Sequence, residues 1–435
     1  MVPTKRFWLL IALGIPVAAV AGQANLPSLA YAYNLVIILI AYGTGKLAPD
    51  ATKLKILRSH DPVLSVRTAN RIDLTLVNEN LERVSGVIRD EPPPHFEATQ
   101  REFKIDLKPE SEVDLTYYLT PVERGSESFK GTYVRLDCPL GLVLRQTYLP
   151  SEEPIRVYPN VLALKEFDLL KQKGRLREMG IRRTRQRGIG TDFESLREYG
   201  QGDDYRKIDW KASARANKLV VRQFEVERNQ SVIIVIDIGR HMLAEVNGVR
   251  KLDHALDACL MLTHAAAAAG DFVGLLVYSD IVKRYIPPKK GRNQVGVIIE
   301  ALHDLVAEPI ESDPAAAFAF LGTRWKRRSL VVTFTDLEDP DRAKTLATAL
   351  GPQAKRHLLL LARVTDPHMG EALESPLAKI EDMYLAAATD LLLADRRLAT
   401  SILSAAKIRN LEAEPQNLAA ALVSYYFEVK ERALL

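Results

Sequence analysis

Apolar and polar positions divide the chain into four differently patterned stretches. From Phe7 to Gly45 no charged side chain occurs. Such a run holds two helices of about 17–20 residues, the length that crosses a hydrocarbon core of roughly 30 Å. They are expected over about residues 7–24 and 29–45, with Gly22-Gln23-Ala24-Asn25-Leu26-Pro27 as the turn. From about Leu54 to Leu149 the pattern becomes short runs of period two, as in Arg71–Val77, Phe103–Leu107, Val113–Leu119 and Thr132–Leu136. Asn78-Glu79-Asn80 and Glu91-Pro92-Pro93-Pro94 punctuate them. Alternation with regular turn signals predicts a small antiparallel β-sandwich.

From Ser231 onward, strands and helices alternate. Val232–Asp237 and Leu330–Thr335 are continuous apolar runs of the kind buried on both faces of a parallel sheet. Phe272–Tyr278, Val282–Ile286 and His357–Ala362 read as further strands. Helices are expected at Leu252–Ala269, Gln294–Val306, Pro314–Trp325 and Asp341 to about Leu350. This rhythm predicts a doubly wound α/β sheet, with Asp237 and Asp336 at the carboxyl ends of two strands, where open sheets bind ligands. Beyond Pro376, Leu418, Leu422, Tyr425, Tyr426 and Val429 recur at helical spacing. The predicted organisation is a multidomain chain combining α/β and β parts. It comprises a membrane hairpin (1–46), a sandwich (47–155), a charged segment with a basic arm (156–228), an α/β domain (229–375) and a helical tail (376–435).

Charge adds an orientation. Lys5 and Arg6 precede the apolar run, Lys46, Lys53 and Lys55 follow it, and the turn has none. The positive-inside rule then places both ends, and the bulk of the chain, on the cytoplasmic side. A signal peptide ending near Ala19-Val20-Ala21 is the competing reading, with the second segment left as an anchor. A buried soluble helix pair is the third. Gly43-Thr44-Gly45-Lys46 is not a phosphate loop, because Ile40 stands where the first glycine belongs and Leu47 follows the lysine. Two distant cysteines, Cys138 and Cys259, argue against a disulfide framework and for a reducing compartment. A net charge of +4 over 435 residues is too weak to imply nucleic acid as a partner.

The strongest local charge lies between Lys171 and Arg187, with eight basic residues against Glu178. A solvated arm, attraction to anionic lipid headgroups and an acidic protein surface are all compatible with it. Nucleic acid suits it least, since stacking aromatics are missing from the run. After it, Gly188–Glu225 interleaves charges with Tyr199 and Trp210, read as anchors against the α/β fold. Asp203 and Asp204 read as ion-paired to Arg206 and Lys207 in a turn. Arg197, Arg215 and Arg222 read as partners of Asp192, Glu194 and Glu198. A paired-carboxylate hydrolase site at Asp203 and Asp204 is the rival. No GxSxG, HExxH or complete phosphate loop occurs, and His254 and His264 fall on a helix, so the chain reads as no enzyme.

The string Phe193–Tyr199, Gly202–Arg206, Ile208–Arg215 and Val221–Glu225 resembles the family called domain of unknown function 58. Arg124-Gly125 and Asp137–Leu142 resemble its sandwich region. The resemblance implies a protein of the bacterial inner membrane, facing the cytoplasm, with a von Willebrand factor A-like domain. It further implies a scaffold or adaptor working beside a MoxR-type AAA+ ATPase or its protein clients. Such domains often hold Mg²⁺ on an Asp-x-Ser-x-Ser loop, whose hydroxyls and carboxylates suit that hard cation. Here the loop reads Asp237-Ile238-Gly239-Arg240-His241. Both serines are gone, His241 is a poor magnesium ligand, and Arg240 disfavours a cation. Asp336 fits the distal carboxylate, and Ser312 or Asp313 falls near the threonine position. A metal-free site without cofactor, an altered Mg²⁺ site and a different ligand remain open. The partner-binding candidates are Asp237, His241, Asp336, Arg197, Tyr199, Asp203, Asp204, Arg206, Asp209, Trp210 and Arg215. A structural cell-envelope protein without an ATPase partner is the alternative function.

Overall fold

The computed structural model describes residues 1–23, 28–181, 192–200, 203–225, 230–337, 339–369, 379–432 and 434–435. They fall into two compact units, Met1–Tyr158 and Pro159–Leu435.

In the first unit the charge-free run forms helices Lys5–Gln23 and Ser28–Lys46. The Tyr33 hydroxyl donates to the Leu10 carbonyl across the pair at 3.0 Å. Residues 24–27 of the expected turn lie outside the described residues. The stretch Ser28–Lys53 is long and apolar enough, by length and composition, to cross a membrane. Leu9, Ile15, Val20, Tyr31 and Leu39 on the two helices are each more than half exposed, which is not the packing of core helices.

The period-two stretch forms two largely antiparallel sheets, the second of them with Val63–Ser65 paired parallel to Val143–Tyr158. One holds Leu54–His60, Asn70–Asn78, Glu112–Thr120 and Glu97–Ala98. The body of the other is Glu102–Leu107, Val84–Asp90, Gly125–Asp137 and Val143–Tyr158. Alternate residues of each point inward, so that Leu74 and Tyr117 from one sheet meet Phe103, Phe129 and Val157 from the other. This is face-to-face packing of a sandwich. An ion network lies buried at its centre, with Arg58 Nη2 2.6 Å from Asp90 Oδ1 and its guanidinium 4.1 Å from the Phe129 ring.

In the second unit one six-stranded sheet runs Val282–Lys289, Phe272–Tyr278, Ser231–Asp237, Leu330–Phe334, Leu358–Val364 and Arg409–Ala413. Only the first pairing is antiparallel. In chain order the strands lie 3-2-1-4-5-6, so the order reverses between Ser231–Asp237 and Leu330–Phe334. Every residue of Ser231–Asp237 is buried, as its unbroken apolar run requires of a central strand. Helix Lys251–Ala268 and the last helix, Pro415–Glu431, cover one face. Pro314–Arg324, Pro340–Ala354 and Ile380–Ala405 cover the other.

Two expectations are corrected here. The tail is not helical throughout, because Arg409–Ala413 adds an edge strand to the sheet. That five-residue strand has only Leu411 and Ala413 as apolar residues, so no apolar run announces it. Beside its parallel ladder with Leu358–Val364, Glu412 receives the side chain of Arg363, a guanidinium otherwise buried on the neighbouring strand. The basic arm is not simply solvated either. Leu176 and Ile181 are buried in the core beneath helix Lys251–Ala268, and Lys171 donates to the Ala268 carbonyl at 3.2 Å. Its remainder from 182 to 187 lies outside the described residues.

His357, just before a central strand, is buried with neither ring nitrogen hydrogen-bonded. Burial, then the nearby Arg356 and Arg328, hold its pKa below 6.5. The unfolded chain therefore binds the proton more readily. Stability is full above pH 6.5 and is lost as pH falls from there through the depressed folded value. Replacing His357 by phenylalanine is expected to flatten the fall in unfolding free energy as pH drops below 6.5. An unchanged slope would refute this assignment.

Candidate functional site

The reversal of strand order puts the carboxyl ends of Ser231–Asp237 and Leu330–Phe334 side by side, the crevice position for ligands in open α/β sheets. Asp237 ends the first strand, and Asp336 follows the second by two residues. Both carboxylates are buried.

Asp237 is surrounded by donors. Thr335 Oγ1 donates to its Oδ2 at 2.6 Å, the Gly239 N–H to its Oδ1 at 2.8 Å, and the Ser312 hydroxyl also to Oδ1. Ser312 arrives on the loop after helix Arg292–Leu302, which is pinned over the sheet by Arg240 N–H to the Ile310 carbonyl and Asp313 N–H to the Ser279 carbonyl. Gly239 makes room for it, since a Cβ there would stand 2.0 Å from Ser312 Oγ. The glycine two residues after Asp237 is thus coupled to a serine 73 positions on (312 − 239), which supplies a hydroxyl from another segment. Asp313 instead caps helix Pro314–Arg324, accepting from the N–H groups of Ala315 and Ala316. Burial, then the charge of Asp237, pushes the neighbouring Tyr278 hydroxyl well above its usual pKa.

Asp336 is neutralised by the protein itself. The Lys251 ammonium pairs with its Oδ2, Arg396 Nη2 lies 3.7 Å from Oδ1, and the Leu337 N–H donates to Oδ1 at 3.0 Å. Both cationic side chains are nearly as buried as the acid. The residues present do not fit the octahedral oxygen shell of Mg²⁺. One carboxylate already takes three donors, the other faces an ammonium, and position 239 is a glycine with no side-chain oxygen.

Around this buried centre runs a polar rim. Glu311 receives Arg240 Nε at 2.6 Å and Arg342 Nη2 at 2.8 Å, with His241 Nε2 3.9 Å away. Burial, then Arg342, lowers the His241 pKa below 6.5 despite Glu311. Lys251, Arg396, Glu311 and Arg342 are absent from the sequence-based candidates. One signal for Lys251 was available, since a lysine opening a helix opposes the macrodipole and calls for a nearby acid.

The other candidates form a separate small structure. Asp192–Glu198 and Val220–Glu225 pair as an antiparallel ribbon, with the short helix Trp210–Ala216 between them. Asp203 pairs with Arg197 rather than with Arg206, in a two-pronged contact of 2.7 and 2.5 Å, and it also accepts from the Gly200 N–H, while the Lys207 side chain lies outside the described residues. Asp204 accepts from the Arg206 backbone N–H, and Asp209 caps the short helix through the N–H groups of Lys211 and Ala212. Tyr199 is half-buried. Trp210 is no anchor, since it is 68% exposed, and Arg215 is exposed too. The side chains of Asp192, Glu194 and Arg222 lie outside the described residues, as do Gly202 and Glu338.

Comparison with known proteins gives the chain relatives without an assigned role. It is 26% identical over 182 residues to uncharacterized proteins of Mycobacterium bovis and Mycobacterium tuberculosis, covering 41% of this chain and 56% of theirs. It therefore spans about half the length of these curated relatives. The uncharacterized protein YeaD of Bacillus subtilis is 27% identical over 127 residues, 29% of this chain and 31% of its own. Among solved structures, the conserved hypothetical protein BatB from Bacteroides thetaiotaomicron aligns over 46% of this chain and 98% of its own. Its TM-score is 0.29 at 15% identity. The family match falls on residues 195–406, described as protein of unknown function DUF58, the family to which the string from Phe193 to Glu225 points.

Proposed function

We propose that this chain is a membrane-tethered, non-enzymatic scaffold or adaptor. In this reading the α/β domain, von Willebrand factor A-like in type, is presented to a MoxR-type AAA+ ATPase or its client. The observation that carries the reading is the state of the sheet edge. Asp237 and Asp336, the carboxylates that would act as base or metal ligand, are engaged by Ser312, Thr335, Lys251 and Arg396, and both are buried. What faces solvent is a preformed rim of Arg240 and Glu311, braced from behind by the largely buried Arg342, that needs no divalent ion to hold its shape. A surface of that kind suits recognition of a polar partner better than turnover.

The N-terminal helices supply the tether, and the lysines and arginine flanking them favour the cytoplasmic face of a bacterial inner membrane. The ATPase as partner comes from the family resemblance. Affinity capture of the tagged full-length chain from detergent-solubilised membranes is expected to co-recover a MoxR-type AAA+ ATPase, and Arg342→Glu is expected to reduce that recovery. Repeated capture without any AAA+ ATPase would overturn the partner assignment.

A further inference from the structure

Between Leu196 and Val221 the carboxylates are all engaged locally. Asp203 holds Arg197, Asp204 and Asp209 accept from backbone N–H groups, and Glu198 lies 3.5 Å from Lys218. Among the described residues, no carboxylate pairs with Arg206, Lys211 or Arg215. Beside these cations, Tyr205 and Trp210 are 66% and 68% exposed. Large aromatics and arginine at such exposure are the composition of a contact surface rather than of ordinary solvent-facing chain.

A surface of opposite character lies on helix Ile380–Ala405. Its inner side carries the buried Thr389, Arg396, Ala399 and Leu403. Its outer side carries Ile380, Tyr384, Ala387, Leu391, Ala394 and Leu398, every one exposed. Their spacing is four, three, four, three, four, the heptad seam that helices use to pack on a partner. At 1.5 Å per residue the seam is roughly 27 Å long. Glu381, Asp390 and Asp395 flank it against Arg397 alone.

Two copies of this seam do not suit each other. In a parallel pair Asp390 would face Asp395 of the second copy, and in an antiparallel pair Asp390 would face its own counterpart. Like charges so placed oppose association. An occupant with exposed apolar side chains and cations that no described carboxylate pairs is required, and the segment around Trp210 has both.

We propose that the aromatic, cationic segment Tyr205–Leu219 of one copy docks on the acidic, apolar seam of helix Ile380–Ala405 of a second copy. The two patches differ, so the contact is head-to-tail and builds a ring if it closes or an open array if it does not. It involves no ATPase and stands apart from the sheet-edge reading above.

Sedimentation equilibrium of the purified full-length chain in detergent micelles tests it, with no other protein in the sample. Concentration-dependent self-association is expected. Arg206→Glu with Arg215→Glu, and separately Leu391→Asp, are each expected to weaken it about tenfold or more, the usual scale for losing central contacts. Adding Asp390→Lys and Asp395→Lys to the double arginine variant is expected to restore it. Because the restored chain carries four changes and still associates, a folding defect cannot account for the loss in the double variant. A chain that stays monomeric at every concentration overturns the proposal. So does association, as through the N-terminal helices, that ignores the charge reversals, or association lost with Leu391→Asp but indifferent to Arg206 and Arg215.

Discussion

Replacing Lys251 by methionine is expected to destabilise the full-length protein by about 3–5 kcal/mol, the cost of breaking a buried ion pair from one side. Methionine keeps most of the lysine volume, so the loss reports charge rather than a cavity. Asp336 would remain buried with Arg396 at 3.7 Å and the Leu337 N–H as its nearest support. That is too little to replace the contact it makes with Lys251. Pairing Lys251→Met with Asp336→Asn removes both charges and is expected to recover part of the loss, because the uncompensated carboxylate is what costs most. Chemical denaturation of the three variants checks the cycle. A single variant within about 1 kcal/mol of wild type, the level of an exposed pair, would show that the ammonium is not the counter-charge of Asp336. The metal question has its own arm in the same experiment. Wild-type unfolding is expected to be the same in excess EDTA and in excess Mg²⁺, since ions that bind the native state stabilise it by mass action. A Mg²⁺-dependent rise in Tm would mean that the ion reaches Asp237 and Asp336, and the sheet edge would have to be reinterpreted.

The second large effect is expected in the sandwich. Asp90 accepts from Arg58, from the Tyr117 hydroxyl at 2.6 Å and from Thr132 Oγ1 at 3.1 Å. Burial opposes the charge on Arg58, but the hydrogen bond and charge of Asp90 outweigh it and raise the Arg58 pKa. Asp90→Ala leaves that guanidinium buried, with Glu153 at 3.3 Å as its remaining acid. A loss of about 3–5 kcal/mol is expected. Asp90→Asn keeps an acceptor for Tyr117 and Arg58 and should cost less. Calorimetric unfolding ranks the two, and equal losses would assign the effect to shape instead of charge.

Much of this architecture is legible in local pattern because local pattern is what the chain's periodicities encode. Arg71–Val77 alternates since one face of Asn70–Asn78 meets the sandwich core and the other meets solvent. Val232–Asp237 does not alternate since both faces of its strand are covered. The charge-free run from Phe7 to Gly45 predicts two helices for the same kind of reason, and both form. Arg409–Ala413 escapes notice because an edge strand held by its backbone ladder, with Glu412 paired to Arg363, needs no apolar run.

The stretch from Gly188 to Glu225, by its sequence alone, carries the resemblance to the family whose model matches residues 195–406, and it concentrated the candidate residues, several of them acids. Which partners those acids take was not readable. Asp203 turns to Arg197 across the base of a turn rather than to its near neighbour Arg206. The sheet edge shows the same limit over longer distances. Sequence reading located Asp237 and Asp336 at strand ends and noted that the loop after Asp237 carries no Asp-x-Ser-x-Ser pattern. Only the tertiary structure decided which groups surround the two acids, because Ser312 and Lys251 reach them from loops and helices 75 and 85 positions away along the chain. Periodicity records how a segment meets its own environment. It carries no record of which distant side chain will neutralise a buried charge, and that choice is made only when the sheet brings the two together.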